Sequence, residues 1–102
     1  MDTKSLQQTA DILAKNWGLS TPSAPGMEGL KASLRLRILE LLEDNFGGLV
    51  NAMYRIDVAE SAFKAALNAG STDAVADQVT DLVLQRELQR LETRRQYRNS
   101  ES

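Results

Sequence analysis

The chain is 102 residues long, has a net charge of −2 and contains neither histidine nor cysteine. That length allows one small domain, and that charge gives no global attraction to nucleic acid or membrane. Without histidine and cysteine, a Ser-His or Cys-His nucleophile pair and a zinc site of the usual kind are excluded. We therefore expect no enzyme, and we predict no metal and no cofactor.

The composition favours helices, because alanine, leucine, glutamine, glutamate and arginine are abundant and are strong helix formers. We predict an all-α fold, a small bundle of four to five helices with a long C-terminal helix. No run of about 18 apolar residues is present, so no helix is expected to span a membrane. The first residues are polar and show no secretory signal, and a cytoplasmic protein is expected.

The first helix is predicted over residues 3–17, with Thr3 as its N-cap and Gly18 as its C-cap. Its apolar residues recur at helical spacing on one face: Leu6, Ala10, Leu13 and Trp17. Residues 20–26, rich in serine, threonine and proline, are predicted to be a linker. The domain division is an N-terminal helix at 1–19, this linker, a helical core at 27–98 and a frayed tail at 99–102. The first helix could dock on its own chain or on a neighbouring copy.

The second helix is predicted to start near Met27 to Leu30 and to end at about Asn45. Its apolar pattern predicts a wide buried face: Leu30, Leu34, Ile38, Leu41 and Leu42, widened by Leu36, Leu39 and Phe46. On its polar side Arg37 and Glu40 are spaced as an i,i+3 ion pair.

Two short helices are predicted next. Gly47-Gly48 indicates a break or sharp bend, and Asp44 or Asn45 could cap a short third helix that holds Leu49 to Tyr54. The spacing of Asp57 and Glu60 matches a capping box, with Asp57 as the N-cap of a fourth helix that Gly70 ends.

The last helix is predicted to be capped by Ser71 or Thr72 and to reach about Tyr97. Its apolar residues change face partway: Val75, Val79, Leu82 and Val83 lie on one side, and Leu84, Leu88 and Leu91 lie roughly opposite. A straight helix with this pattern is expected to contact two different bodies.

The segment Tyr54-Arg55-Ile56-Asp57, followed by Glu60, resembles a segment of small bacterial helical proteins with no assigned role. The resemblance covers about residues 34–70. It implies a bacterial source and a recurring helical unit, and it carries no activity and no functional residues to this chain.

Three groups of residues are candidates for function. The first is a polar cluster of Arg55, Asp57 and Glu60. It could act as an anion clamp with an acid or base, but a capping box with Arg55 paired to a nearby carboxylate explains the same residues structurally.

The second group is an arginine stripe at four-residue spacing near the C-terminus, with one further neighbour: Arg86, Arg90, Arg94, Arg95 and Arg98. Arginine forks bind phosphate bidentately, so the stripe could bind nucleic acid, another polyanion or an acidic protein surface. Glu87 and Glu92 lie between the arginines, and a solvated basic helix end is the structural alternative.

The third group is a leucine seam on the last helix, which the first helix could cover: Leu84, Leu88 and Leu91 facing Leu6, Leu13 and Trp17. This seam predicts a non-enzymatic helical interaction module that self-associates as a homodimer. The alternative is a polyanion or nucleic-acid binder that uses the arginine stripe.

Overall fold

The computed structural model describes residues 3–19 and 26–101, with side chains described for 10–19 and 26–93. Within these ranges the chain forms five helices and no strand: α1 (Thr3–Trp17), α2 (Gly26–Asp44), α3 (Phe46–Arg55), α4 (Glu60–Leu67) and α5 (Thr72–Glu101). The predicted all-α class and long C-terminal helix are confirmed. Most of the predicted linker at 20–26 lies outside the described residues, and Gly26 begins α2.

Helices α2 and α5 pack as an antiparallel pair at the centre of the fold, and exposed ion pairs join the two helices along one side. Lys31 Nζ lies 2.9 Å from Asp81, and Arg35 lies 2.6 Å from Asp77 and 3.2 Å from Asp73. The hydrogen bond from Lys31 to Asp81 raises the pKa of Lys31, and the bond to Asp77 likewise raises the pKa of Arg35. Because the pKa values of these basic groups are higher in the folded than in the unfolded state, their charged forms stabilise the fold at any pH below the unfolded-state pKa. This contribution is lost only at strongly alkaline pH.

The buried face of α2 is narrower than its sequence predicts. Four predicted positions are buried at four- and three-residue spacing: Leu30, Leu34, Ile38 and Leu41. Leu36 is 61% exposed, and its prediction as a core residue is wrong. It follows Leu34 by two positions and therefore points about 200° around the helix from it.

Helix α1 packs on α2 and α5 of its own chain, which answers the question that the sequence left open. Leu13 is fully buried and Trp17 is 4% exposed, both within the same core as α2 and α5. Gly18 adopts φ +65°, and the Leu19 amide donates to the Ala14 carbonyl at 3.2 Å, which closes a Schellman-type end. Arg37 Nε donates to the Trp17 carbonyl at 2.9 Å and so fastens this end to α2.

Helix α3 begins at an asparagine cap. The Asn45 side chain accepts a hydrogen bond from the Gly48 amide at 3.0 Å, which confirms Asn45 as one of the two predicted caps. The interruption between α2 and α3 falls at Asn45, and Gly47-Gly48 lies inside the first turn of α3. The interruption therefore comes two residues before the predicted position at Gly47.

Asp57 ends α3 and does not begin α4, so the predicted capping box is wrong. Asp57 adopts φ +64°, its amide donates to the Tyr54 carbonyl, and the Val58 amide donates to the Met53 carbonyl, both at 3.1 Å. These bonds form a Schellman motif in which Asp57 occupies the position that glycine usually takes. The N-cap of α4 is Ala59, which makes no side-chain cap.

This geometry makes a prediction for two variants at position 57. A left-handed backbone costs an alanine about 1–2 kcal/mol and costs glycine almost nothing. We therefore expect Asp57→Gly to be more stable than Asp57→Ala by about 1 kcal/mol in urea unfolding. Both variants lose the same side-chain carboxylate, so their difference isolates the backbone effect. Equal stabilities would contradict the left-handed assignment.

Helix α5 presents one buried face, not two. The centre of this face is a stripe at four-, three- and four-residue spacing: Ala76, Thr80, Val83 and Glu87. Val79 and Leu84, which the sequence placed on different sides, are both buried at its flanks. The Thr80 hydroxyl donates to the Ala76 carbonyl at 2.6 Å, and Ser71 caps the helix through the Ala74 amide at 3.1 Å. The two apolar sides read from the sequence are thus two edges of one packed surface.

Candidate functional sites

The predicted leucine seam is used within the chain as far as the structure describes it. Leu84 is 7% exposed and belongs to the same buried cluster as Leu13 and Trp17. Leu88 and Leu91 are half-buried, and the side chain of Leu6 lies outside the described residues. The seam therefore joins α1 to its own α5 and offers no free surface at Leu13, Trp17 or Leu84.

Two members of the arginine stripe are engaged within the fold. Arg86 Nε donates to the Ile56 carbonyl at 2.8 Å and Arg86 approaches Asp57 to 3.7 Å, so it holds the end of α3 against α5. Arg90 lies 2.9 Å from Glu87, which is 3% exposed and also accepts a 3.5 Å hydrogen bond from Asn16. The side chains of Arg94, Arg95 and Arg98 lie outside the described residues. Arg86 and Arg90, the two arginines of the stripe whose side chains are described, thus bind a carbonyl and carboxylates of their own chain.

The predicted polar cluster is not brought together. Asp57 faces Arg86, while Glu60 lies 3.2 Å from Lys64, one turn along α4. Within the part of the chain whose side chains are described, no hydrogen bond or ion pair joins Arg55 to a partner. The predicted pairing of Arg55 with a nearby carboxylate is therefore wrong, and Arg86 takes that place.

An apolar groove runs between α3 and α4 on the outside of the bundle. Its volume is about 180 Å³, and it is lined by Phe46, Val50, Met53, Tyr54, Val58, Glu60, Phe63, Lys64 and Leu67. We call this surface the α3–α4 groove. Phe46 and Phe63 stack within it with ring centroids 6.5 Å apart, and Phe46 remains 44% exposed and Tyr54 67% exposed. A wider depression that also includes Leu42 and Val75 shares Phe46 and Leu67 with the groove.

The charge around the α3–α4 groove is only slightly acidic, because the Glu60 carboxylate in its lining lies 3.2 Å from the Lys64 ammonium. Glu60 lines the groove and Glu43 lines the adjoining depression, while Lys64 is the cation among these lining residues. Asp57, whose side chain is 90% exposed, directly precedes the lining residue Val58. The surface therefore combines exposed aromatic rings with a negative edge, which suits an apolar partner that carries positive charge.

Sequence reasoning missed the groove because its members come from two helices joined by a turn. Tyr54 was placed within the third helix and Phe46 on the buried face of the second. The one available signal was the pair of aromatic residues, Phe46 and Tyr54, near the two ends of the ten-residue helix α3.

A second, smaller cavity lies where α1, the end of α3 and α5 meet. It has a volume of about 100 Å³ and is lined by Asn16, Trp17, Ala52, Arg55, Ile56 and Arg90. We call it the Arg55–Arg90 cavity. Trp17 and Ile56, each 4% exposed, contribute apolar walls, and Arg55 and Arg90 supply its charged groups.

Comparisons with protein-family models, with curated proteins and with solved structures find no match to this chain. Among the described side chains, no group of three or more acidic residues is arranged to hold a metal ion. None of the described helices combines the length and the apolar character needed to cross a bilayer.

Proposed function

We propose that this protein is a non-enzymatic helical interaction module that self-associates, and that a second copy of the chain occupies the α3–α4 groove. The observation that carries the proposal is the exposure of Phe46 and Tyr54 beside an apolar floor. Exposed aromatic rings gathered at a groove mark interaction surfaces, where they supply much of the binding energy.

Charge complementarity supports a second copy as the occupant. Residues 1–85 carry a balance of −4, whereas residues 86–102 carry five arginines and three glutamates, a balance of +2. Helix α5 has 30 residues and is therefore about 45 Å long at 1.5 Å per residue, a length close to the 46 Å long dimension of the molecule. Beyond the two arginines that the fold engages, the sequence places Arg94, Arg95 and Arg98, which would meet the acidic edge of the groove in a second copy.

The placement of the ionisable residues supports a binding role over a catalytic one. Arg55 lines the Arg55–Arg90 cavity and Glu60 lines the α3–α4 groove, while Asp57 lines neither. An acid, a base and an anion clamp that act together must meet around one substrate position. Cytoplasmic location and a bacterial source stay predictions from the sequence.

Light scattering coupled to size-exclusion chromatography tests the proposal. At tens of micromolar and low salt we expect a dimer, and we expect dissociation in about 1 M NaCl, where the Debye length is about 3 Å. Tyr54→Asp, which sets a charge in the groove, is expected to weaken the dimer about tenfold or more, the equivalent of about 1.4 kcal/mol.

Leu36→Asp is the matched control. Leu36 is as exposed as Tyr54, at 61% against 67%, and it lies outside the groove. The control is expected to dimerise like the wild type. A wild type that stays monomeric at tens of micromolar, or an equal loss in both variants, would overturn the proposal.

A further inference from the structure

We propose that the Arg55–Arg90 cavity is a binding site for a phosphate-sized oxyanion. Arg55 and Arg90 line it and no carboxylate is among the lining residues, while the Glu87 carboxylate outside the lining binds Arg90 and the Asn16 amide. This site is separate from the α3–α4 groove, and the proposal stands whether or not the chain self-associates.

The two arginines have hydrogen-bonding capacity left for a ligand. A guanidinium has five N–H donors, and Arg90 uses one nitrogen for the 2.9 Å bond to Glu87. Arg55 forms no bond to any of the described side chains, although it lies at the mouth of the same cavity.

The buried Glu87 carboxylate fixes the Arg90 side chain and compensates its charge. It lies 2.9 Å from Arg90 and also accepts a hydrogen bond from the Asn16 amide, so Arg55 supplies the uncompensated positive charge of the cavity. Arg90 is therefore held by packing and by an ion pair before any ligand arrives, and pre-organised donors lose less entropy on binding.

The size and walls of the cavity define the ligand class. A volume of about 100 Å³ is several times the roughly 10–15 Å³ that one water molecule needs by the same measure, so the cavity has room for one tetrahedral oxyanion. Trp17, Ala52 and Ile56 form an apolar wall on one side, and the exposed Asn16 and Arg55 leave the cavity open to solvent. A free phosphate and a phosphate monoester share this chemistry.

Trp17 provides a direct readout, because it is the single tryptophan of the chain and lines the cavity. Fluorescence is followed while inorganic phosphate is added up to tens of millimolar, with ionic strength held constant by chloride. We expect a saturable change in the wild type. In Arg55→Gln we expect affinity to fall about tenfold or more, because a charge-assisted fork is lost.

Lys31→Gln is the matched control, since it removes one positive charge at an exposed site on α2 that lines neither the cavity nor the groove. It is expected to bind phosphate like the wild type. Unchanged thermal unfolding of Arg55→Gln establishes that the variant is folded, which its exposed position leads us to expect. An unsaturable response in the wild type, or equal losses in the two variants, would overturn the proposal.

A second titration distinguishes the sources of the phosphate group. Phenyl phosphate carries the same dianion on an apolar ring. Binding at least as tight as that of inorganic phosphate indicates a monoester ligand at the cavity mouth, and much weaker binding indicates the free ion. Both results support the oxyanion site, and failure of both probes excludes it.

Discussion

Replacing Trp17 by alanine is expected to destabilise the protein by about 3–5 kcal/mol. The indole is 4% exposed and lies in the same buried cluster as Leu13 and Val83, so its removal leaves a cavity where α1 meets α2 and α5. A loss of this size is a large fraction of the total stability of a small domain. Urea unfolding followed by circular dichroism measures it, because the variant lacks the only tryptophan.

Lys15→Ala is the control for this prediction, since Lys15 is exposed on the same helix two residues earlier. A surface change of this kind is expected to shift the free energy of unfolding by no more than about 0.5 kcal/mol. If Trp17→Ala also cost less than about 1 kcal/mol, α1 would not be part of the folded core of its own chain.

Leu34→Ala and Leu36→Ala are expected to differ sharply although they are two positions apart on α2. Leu34 is fully buried, and truncating it is expected to cost about 2–5 kcal/mol through lost burial and a residual cavity. Leu36 is 61% exposed, and the same truncation there is expected to change stability by about 0.5 kcal/mol or less. Thermal unfolding measures the difference at about 4–8 °C for each kcal/mol.

Equal losses at the two positions would mean that Leu36 is covered by something other than its own chain. The comparison should therefore be made at low micromolar protein and repeated at tens of micromolar. A cost at Leu36 that appears only at the higher concentration would assign this residue to an interface and would move the proposed contact away from the α3–α4 groove.

Helix positions followed from the sequence because helix formation depends on local terms. The α1 bounds were predicted correctly at 3–17, Gly18 and Ser71 act as the predicted caps, and Asn45 is one of the two caps predicted for α3. Gly70 was predicted to end α4, but α4 ends at Leu67 with Asn68 as its C-cap. Propensity, caps and the 3.6-residue period all act within one or two turns of chain. A single sequence contains this information without knowledge of what packs where.

The α5 face was misread because its central stripe contains two polar residues, Thr80 and Glu87. With these two positions counted as solvent-facing, the leucines and valines on both edges looked like two faces. Burial of Glu87 depends on Arg90 and Asn16, the latter 71 residues away in sequence. No local pattern indicates that a carboxylate will find an amide so far along the chain, and a buried charge without partners would be costly.

Asp57 shows the same limit at a turn. Its spacing to Glu60 satisfies the capping-box pattern, yet the chain uses Asp57 to end α3 in a left-handed conformation. The carbonyl of Ile56 is then bound by Arg86 from α5, 30 residues away. The spacing of Asp57 and Glu60 was compatible with either turn, and the hydrogen bond from Arg86 to the Ile56 carbonyl is present in the turn that formed.

The sequence by itself determined the helical class, most helix ends and most of the buried positions of α1 and α2, because these depend on side chains a few residues apart. Only the tertiary structure decided that both flanks of α5 are covered, where α1 docks and which arginines remain available. Those outcomes depend on packing and ion pairing between residues distant in sequence, whose free energies exist only once the helices have met. The α3–α4 groove and the Arg55–Arg90 cavity belong to this second class, since each is the space left between helices that pack elsewhere.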